Sequence, residues 1–113
     1  MNKMVNLGLI QMKCSQDIQA NFDKAVDLIE DAAQQGAQIV CTQELFKSPY
    51  FCQREDWREF DLAEKVDENS PTVLRLSELA AELKIVLIAS LFEKRAKGLY
   101  HNTAVVMDAD GSY

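Results

Sequence analysis

The sequence lacks the features of membrane, exported and nucleic-acid-binding proteins. Among its 113 residues the longest uninterrupted apolar run is residues 85–89, whereas a membrane-spanning helix needs about 20 residues. The apolar stretch behind Lys3 is broken at Asn6 and Gly8, and no small-residue cleavage site follows it. Twelve basic residues stand against eighteen acidic ones, so the net charge is -6, with no lysine or arginine block that would bind phosphates. We therefore expect no membrane insertion, no export signal and no nucleic-acid partner.

Cysteine, histidine and glycine are all scarce. The three cysteines, Cys14, Cys41 and Cys52, are odd in number and too far apart for a zinc or redox motif, which predicts no metal site and a reducing, cytoplasmic location. The four glycines form no phosphate-binding loop, so we expect no nucleotide. His101, the one histidine, has no serine or cysteine at the spacing of a catalytic triad, and we interpret it as a hydrogen-bonded structural residue.

The remaining composition, 48% hydrophobic and 27% charged, is typical of a soluble globular protein, and residues 1–113 are too few for two independent domains. A short apolar run ending at Gln11 predicts a buried strand, and apolar residues then recur at helical spacing between Asp17, a candidate N-cap, and Gly36, a candidate stop. Residues 39–42 form a compact apolar run that predicts a second strand. The order strand, helix, strand predicts an α/β fold in which these two strands are parallel.

The middle of the chain has the least regular pattern. Residues 43–69 follow no single period and predict a long, partly helical excursion of the kind that is more often functional or covering than idle. Trp57 and Phe60 would lie on one short amphipathic helix there and cover the core. Ser70 followed by Pro71 then predicts the start of a second full helix.

The last part of the chain predicts a hairpin. Residues 85–92 are the most apolar run, residues 94–98 form a polar break, and residues 99–107 make a further strand. An Asp-Gly turn at residues 108–111 normally leads into another strand, but the chain stops at Tyr113. We therefore expect residues 99–107 to form an exposed sheet edge and the chain to be the amino-terminal part of a larger domain.

Glu44 is the leading candidate for a functional side chain. It lies just beyond the carboxyl end of the second predicted strand, where open α/β sheets place their ligand-binding crevices. Its neighbours Leu45 and Phe46 are apolar, and partial desolvation by them would raise the pKa of the carboxyl group toward the range of a general base. The alternative is a surface or helix-capping glutamate.

The thiols have two interpretations each. Cys41 lies inside an apolar strand and is expected to be a small core residue. Cys14 follows the first strand on the crevice side, and Cys52 lies in the excursion beside Phe51. Either could be a functional thiol if it were partly exposed and had a base or a positive charge nearby; otherwise both pack as ordinary side chains.

The residues around Glu44 resemble a known motif. Thr42-Gln43-Glu44-Leu45-Phe46, preceded by an apolar segment that ends in Ile39-Val40, is similar to the first catalytic motif of the carbon-nitrogen hydrolase, or nitrilase, superfamily. Residues 48–53 resemble most the subgroup of N-carbamoylputrescine amidases, which act in polyamine synthesis. The positions that agree outside the motif are Gln11, Asn21, Tyr50 and the segment Tyr100-His101-Asn102-Thr103-Ala104.

The resemblance implies an α-β-β-α sandwich and a Glu, Lys, Cys catalytic trio that uses no metal or organic cofactor. Glu44 matches the general base, and Tyr50 is expected to bind substrate. The Lys and the Cys nucleophile belong to later strands that lie beyond residue 113, so we expect this chain alone to be inactive. The implied partner is a small ureido or amide substrate, foremost N-carbamoylputrescine, which yields putrescine, ammonia and carbon dioxide, and the implied assembly is a homo-oligomer.

Two alternatives stay open. Within the family, the substrate could be another N-carbamoyl compound or a linear amide. Outside it, the absence of a nucleophile and an oxyanion lysine from these residues fits a non-catalytic α/β binding or assembly module.

Overall fold

The computed structural model describes residues 3–113, and within them strands and helices alternate as in an α/β protein. The elements in chain order are β1 (Leu7–Leu9), α1 (Ile18–Gln34), β2 (Ile39–Cys41), a 3-10 helix (Trp57–Leu62), α2 (Pro71–Leu83), β3 (Val86–Ala96) and β4 (Leu99–Met107). The α/β class predicted from the sequence is confirmed.

The four strands form one sheet in the order β1-β2-β3-β4. β1 pairs in parallel with β2, β2 pairs in parallel with β3, and β3 and β4 form an antiparallel hairpin. The predicted parallel pairing, the hairpin and the position of β4 at a sheet edge are confirmed. Because β1, β2 and β3 run in the same direction, the segments that follow β1 and β2 emerge at the same edge of the sheet.

α1 begins and ends at the residues that its sequence signals indicate. Asp17 accepts a hydrogen bond from the backbone nitrogen of Ala20 at 3.0 Å and so caps the first turn. Gly36 has a φ of 96° just past the last turn, a conformation that glycine adopts without steric cost. Ala25 and Ile29, one helical turn apart, are fully buried against the sheet.

α2 also begins as predicted, with Pro71 in its first turn. The Ser70 side chain makes no capping bond to the helix; its hydroxyl donates to Asp67 Oδ1 at 3.0 Å. Leu76 and Leu79 are fully buried, so α2 packs beside α1 in the same core. Both helices therefore cover one face of the sheet.

The sheet has one covered and one uncovered face. Val40 and Leu87 are register neighbours on the covered face and are fully buried. The opposite face, here called the open face, carries Leu9, Cys41, Ile88 and Val106, which are consecutive neighbours across all four strands.

The prediction that the first strand is buried is wrong for residues 3–113. Leu7 is 64% exposed and Leu9 is 77% exposed, because both side chains lie on the part of the open face at β1, which no described residue covers. Cys41, expected in the core, is only half-buried for the same reason. An apolar row on an uncovered sheet face is the surface that a second sheet covers in a sandwich.

The excursion contains a short helix, as predicted, but the prediction that Trp57 covers the core is wrong. Trp57 begins a 3-10 helix of six residues, and its side chain is 76% exposed, so it does not cover the core. Phe60 instead stacks beside the hairpin, with its ring centroid 4.5 Å from that of Tyr100.

The hairpin is longer than the polar break suggested. Residues 93–96 continue β3, and the connection is reduced to Lys97 and Gly98, with Gly98 at a φ of 77°. Residues 94–96 are exposed at this strand end, whereas the Glu93 side chain is buried and accepts a hydrogen bond from Thr103. A register shift between Lys94 and Ala96 accommodates the tight turn.

Candidate active site

Glu44 lies in a turn that directly follows β2. The backbone hydrogen bonds between β2 and β3 continue one residue past β2, since the Thr42 backbone nitrogen donates to the carbonyl of Ile88 at 2.9 Å. Leu45 then adopts a left-handed conformation with a φ of 51°. The side chains of Leu45 and Phe46 enter the core, and Glu44 is exposed. The predicted partial burial of Glu44 by these two neighbours is therefore wrong for this chain, because they point away from it.

Glu44 is held by a hydrogen bond from β4. Asn102 Nδ2 donates to Glu44 Oε1 at 2.6 Å. Ser90 of β3 contacts both Asn102 and the residue that follows Glu44. Its Oγ accepts a hydrogen bond from the backbone nitrogen of Leu45 at 2.9 Å and donates one to Asn102 Oδ1 at 3.4 Å. Asn102 entered the sequence analysis only as part of a flanking segment, and Ser90 was missed, because no local pattern links residues so far apart in the chain.

Tyr50 follows Glu44 by six residues and is partly exposed. The pKa of Tyr50 is raised above its ordinary value, chiefly by a side-chain hydrogen bond with Cys52 and then by the negative charges of Cys52 and Glu44. Tyr50 therefore lies within electrostatic range of both Glu44 and Cys52. Cys52 is exposed, as a reactive thiol must be.

An ion pair anchors the turn that carries Glu44. Lys47 Nζ lies 3.0 Å and 3.1 Å from the two carboxylate oxygens of Glu64 and 2.9 Å from Thr72 Oγ1. Glu64 is itself fixed to β3, because its backbone nitrogen donates to the carbonyl of Phe92 at 2.9 Å. Lys47 therefore ties the turn to both α2 and β3, a link that the sequence analysis missed.

Asn21 connects the segments that follow β1 and β2. Its side chain is buried, and Nδ2 donates to the carbonyls of Ser15 at 2.7 Å and Lys47 at 2.9 Å. Gln43 adds a second link, because its Oε1 accepts from the backbone nitrogen of Met12 at 2.7 Å. These two amides place the Glu44 turn relative to the end of β1.

Cys14 and His101 do not contribute to the group around Glu44. Burial raises the pKa of the Cys14 thiol, with Lys24 opposing the shift, and Sγ donates to the carbonyl of Phe46 at 3.1 Å, as in ordinary packing. His101 lies opposite Glu93 on β4, where residues alternate between faces, and so projects to the other side of the sheet from Asn102.

Two kinds of feature are absent from residues 3–113. No three His, Cys, Asp or Glu side chains in this part of the chain come together where they could hold a metal ion. None of the helices described above is long and apolar enough to cross a bilayer.

Comparison with known proteins identifies the family. Residues 6–113 match the carbon-nitrogen hydrolase family. An N-carbamoylputrescine amidase from Arabidopsis thaliana is 41% identical over 110 residues, covering 96% of this chain and 36% of that protein. A citrullinase from Francisella tularensis is 37% identical over 108 residues, covering 96% of this chain and 37% of that protein.

A solved structure supports the same assignment. The carbon-nitrogen hydrolase from Helicobacter pylori G27 superposes with a TM-score of 0.85 at 40% identity, over 96% of this chain and 37% of that one. The chain belongs to the carbon-nitrogen hydrolase family, and its sheet and helix layer have the fold of nitrilase-superfamily members. It spans 36% of the length of the Arabidopsis relative.

Proposed function

We propose that the protein containing this chain hydrolyses a non-peptide C–N bond of a small ureido substrate, foremost N-carbamoylputrescine, with Glu44 as the general base. The position of Glu44 carries the proposal. It follows β2 within the family motif, is exposed, and has one carboxylate oxygen, Oε1, held by Asn102. Among residues 3–113 the other oxygen, Oε2, accepts no hydrogen bond and is available to take a proton.

The reaction follows the scheme that family membership implies, in which a cysteine and a lysine from other segments join Glu44. Glu44 takes the thiol proton, and the sulfur attacks the ureido carbon while the lysine stabilises the oxygen that becomes negative. The C–N bond to the terminal amino group breaks, and ammonia leaves with the proton from Glu44. Water, deprotonated by Glu44, then releases the thiocarbamate intermediate as a carbamate, which loses carbon dioxide to give the amine.

Two observations favour a ureido substrate that also carries a positive charge. The names of the Arabidopsis and Francisella relatives both denote enzymes of ureido compounds. Beyond Tyr50 in the chain, a groove of about 520 Å³ is lined by Cys52, by aromatic side chains that include Trp57, and by the carboxylate of Glu55. Arg54 also lines this groove, but its charge is paired with Glu59 at 2.7 Å. Aromatic faces and a carboxylate suit an alkyl ammonium group better than an anionic one. We assign Tyr50, which directly precedes the groove residue Phe51, to substrate binding.

The same proposal covers the rest of the molecule. Residues 1–113 belong to one hydrolase domain, in which a second sheet covers the open face and completes an α-β-β-α sandwich. The enzyme would be a cytoplasmic homo-oligomer that acts in polyamine synthesis. The second sheet is inferred from the apolar row Leu9, Cys41, Ile88 and Val106, and the single larger domain from the coverage of the relatives.

The test is a substrate panel on the full-length protein. Ammonia release is measured with N-carbamoylputrescine, citrulline, an N-carbamoyl amino acid and a linear ω-amide, and values of kcat/KM are compared. The highest value should belong to N-carbamoylputrescine. A higher value for citrulline or the ω-amide would change the substrate, whereas no release from any compound would overturn the enzymatic proposal.

A non-catalytic assembly module is the second candidate, and the exposed open face favours it. The codons that follow Tyr113 separate the two. An open frame encoding a later lysine and cysteine at strand ends supports the enzyme, and an authentic stop codon supports the module.

A further inference from the structure

The two oxygens of the Glu44 carboxylate have different environments. Oε1 receives the Asn102 amide at 2.6 Å, whereas Oε2 accepts no hydrogen bond from residues 3–113. An ionised carboxylate only accepts hydrogen bonds, so Asn102 must turn its NH2 group, and not its carbonyl, toward Glu44. The contact therefore fixes which oxygen is occupied and which is free.

Ser90 selects the same orientation of Asn102 from the other side. Its hydroxyl has a single proton, and its oxygen already accepts from the backbone nitrogen of Leu45 at 2.9 Å. The proton is directed to Asn102 Oδ1 at 3.4 Å, which leaves the NH2 group of Asn102 facing Glu44.

These contacts close a ring. Leu45 directly follows Glu44, so the ring runs from the Glu44 side chain through Asn102 and Ser90 to the backbone of the same turn. The ring joins the turn to β3 and β4, two paired strands of the sheet. A side chain on a turn gains a single orientation when its partners stand on rigid strands.

We propose that Asn102 is a positioning residue for Glu44, which it holds by Oε1 so that Oε2 faces the group to be deprotonated, and that Ser90 orients Asn102 for this role. The inference rests on the proposed function, in which Glu44 is the general base. Asn102 itself exchanges no proton and acts only through Glu44.

Asn102→Ala and Asn102→Asp in the full-length protein test the proposal with N-carbamoylputrescine as substrate. The alanine variant removes the donor. The aspartate variant keeps an acceptor for Ser90 and replaces the donor with a second carboxylate, which repels Glu44 unless the two groups share a proton. Both should lower kcat by about tenfold to a hundredfold, the range typical of groups that orient an active-site ligand, with KM changed less than about twofold. Ser90→Ala should lower kcat less, and Ser90→Thr, which keeps the hydroxyl, should restore it.

Thr103→Val is the matched control. Thr103 is the next residue on β4, and its hydroxyl donates to another carboxylate, Glu93 Oε1, at 2.8 Å. Glu93 lies on the opposite face of the sheet from Asn102, so this variant also removes a donor from a carboxylate but should leave kcat unchanged. Equal losses from Thr103→Val and Asn102→Ala would overturn the proposal, because any weakening of β4 would then suffice.

A Glu44→Asp background shows whether Asn102 acts through Glu44. The shorter carboxylate cannot reach Asn102 Nδ2, so adding Asn102→Ala should change kcat less than about twofold in that background. The same tenfold loss in both backgrounds would overturn the positioning role while leaving the function intact. If the unaltered protein hydrolyses nothing in the panel, or if Glu44→Gln retains full kcat, the proposed function fails, and this inference falls with it.

Discussion

Replacing Lys47 with methionine tests whether the ion pair beneath the Glu44 turn stabilises the fold. The Lys47 and Glu64 side chains are each 23% exposed, so their ion pair is intermediate in burial. An exposed ion pair contributes about 0–1 kcal/mol to stability, whereas disrupting a buried ion pair costs about 3–5 kcal/mol. Methionine keeps the apolar stem but leaves Glu64 and the Thr72 hydroxyl without the ammonium group. We expect the free energy of unfolding to fall by about 2 kcal/mol.

Urea unfolding of the full-length protein, followed by circular dichroism, measures this loss. The control is Arg58→Met, which breaks the pair with Asp56 at 2.8 Å, where the arginine is 72% exposed. That variant should lose less than about 1 kcal/mol. Adding Glu64→Gln to Lys47→Met should recover part of the stability, because the uncompensated carboxylate is then gone. The reasoning is refuted if Lys47→Met costs no more than Arg58→Met, or if the two substitutions at the pair are additive.

Three further predictions concern the base, the open face and a buried carboxylate. Glu44→Gln should keep the fold, as judged by circular dichroism, and lower kcat for ammonia release about a hundredfold or more; retained activity would make Glu44 structural. Residues 1–113 produced alone should be inactive and should self-associate in size-exclusion chromatography. Leu9→Lys on the open face should reduce this association, whereas Leu74→Lys on the exposed side of α2 should not. A monodisperse unaltered chain would contradict this prediction. The pKa of Glu93 is lowered chiefly by the hydrogen bond from Thr103. The ionised carboxylate therefore stabilises the fold above the unfolded glutamate pKa of about 4.3, and this stability is lost as pH falls through the lower pKa of the folded state. Thr103→Val should therefore lower the urea midpoint clearly at neutral pH and less near about pH 3; an equal loss at both would assign the effect to packing.

Features with local signals could be predicted from the sequence. Asp17 and Gly36 delimit α1 because a cap and a left-handed stop depend on a few adjacent residues. Glu44 could be located as well, because an apolar run of strand length precedes it and its motif is contiguous. The hydrophobic pattern also predicted that β1 would need cover.

Features that depend on distant partners could not be predicted. An apolar pattern indicates that Leu7 and Leu9 favour burial, but it does not say which layer provides the cover, and none of residues 3–113 does so. The exposure of Glu44 followed from the left-handed Leu45, which no residue type signalled, since leucine rarely adopts that conformation. The contact with Asn102 depends on strand register across 58 residues of chain, a long-range quantity that local spacing does not contain.

The left-handed leucine makes the hydrophobic core a part of the candidate active site. A non-glycine residue in this conformation costs about 1–2 kcal/mol, whereas burying a leucine side chain contributes about 1.5–3 kcal/mol. Leu45 is 4% exposed, so its burial offsets the backbone strain that turns Glu44 outward. The direction of the carboxylate is therefore set by an apolar side chain on the far side of the backbone. A substitution that loosened the pocket around Leu45 would let the turn relax and carry Glu44 away from Asn102, and so impair the site without touching a polar group.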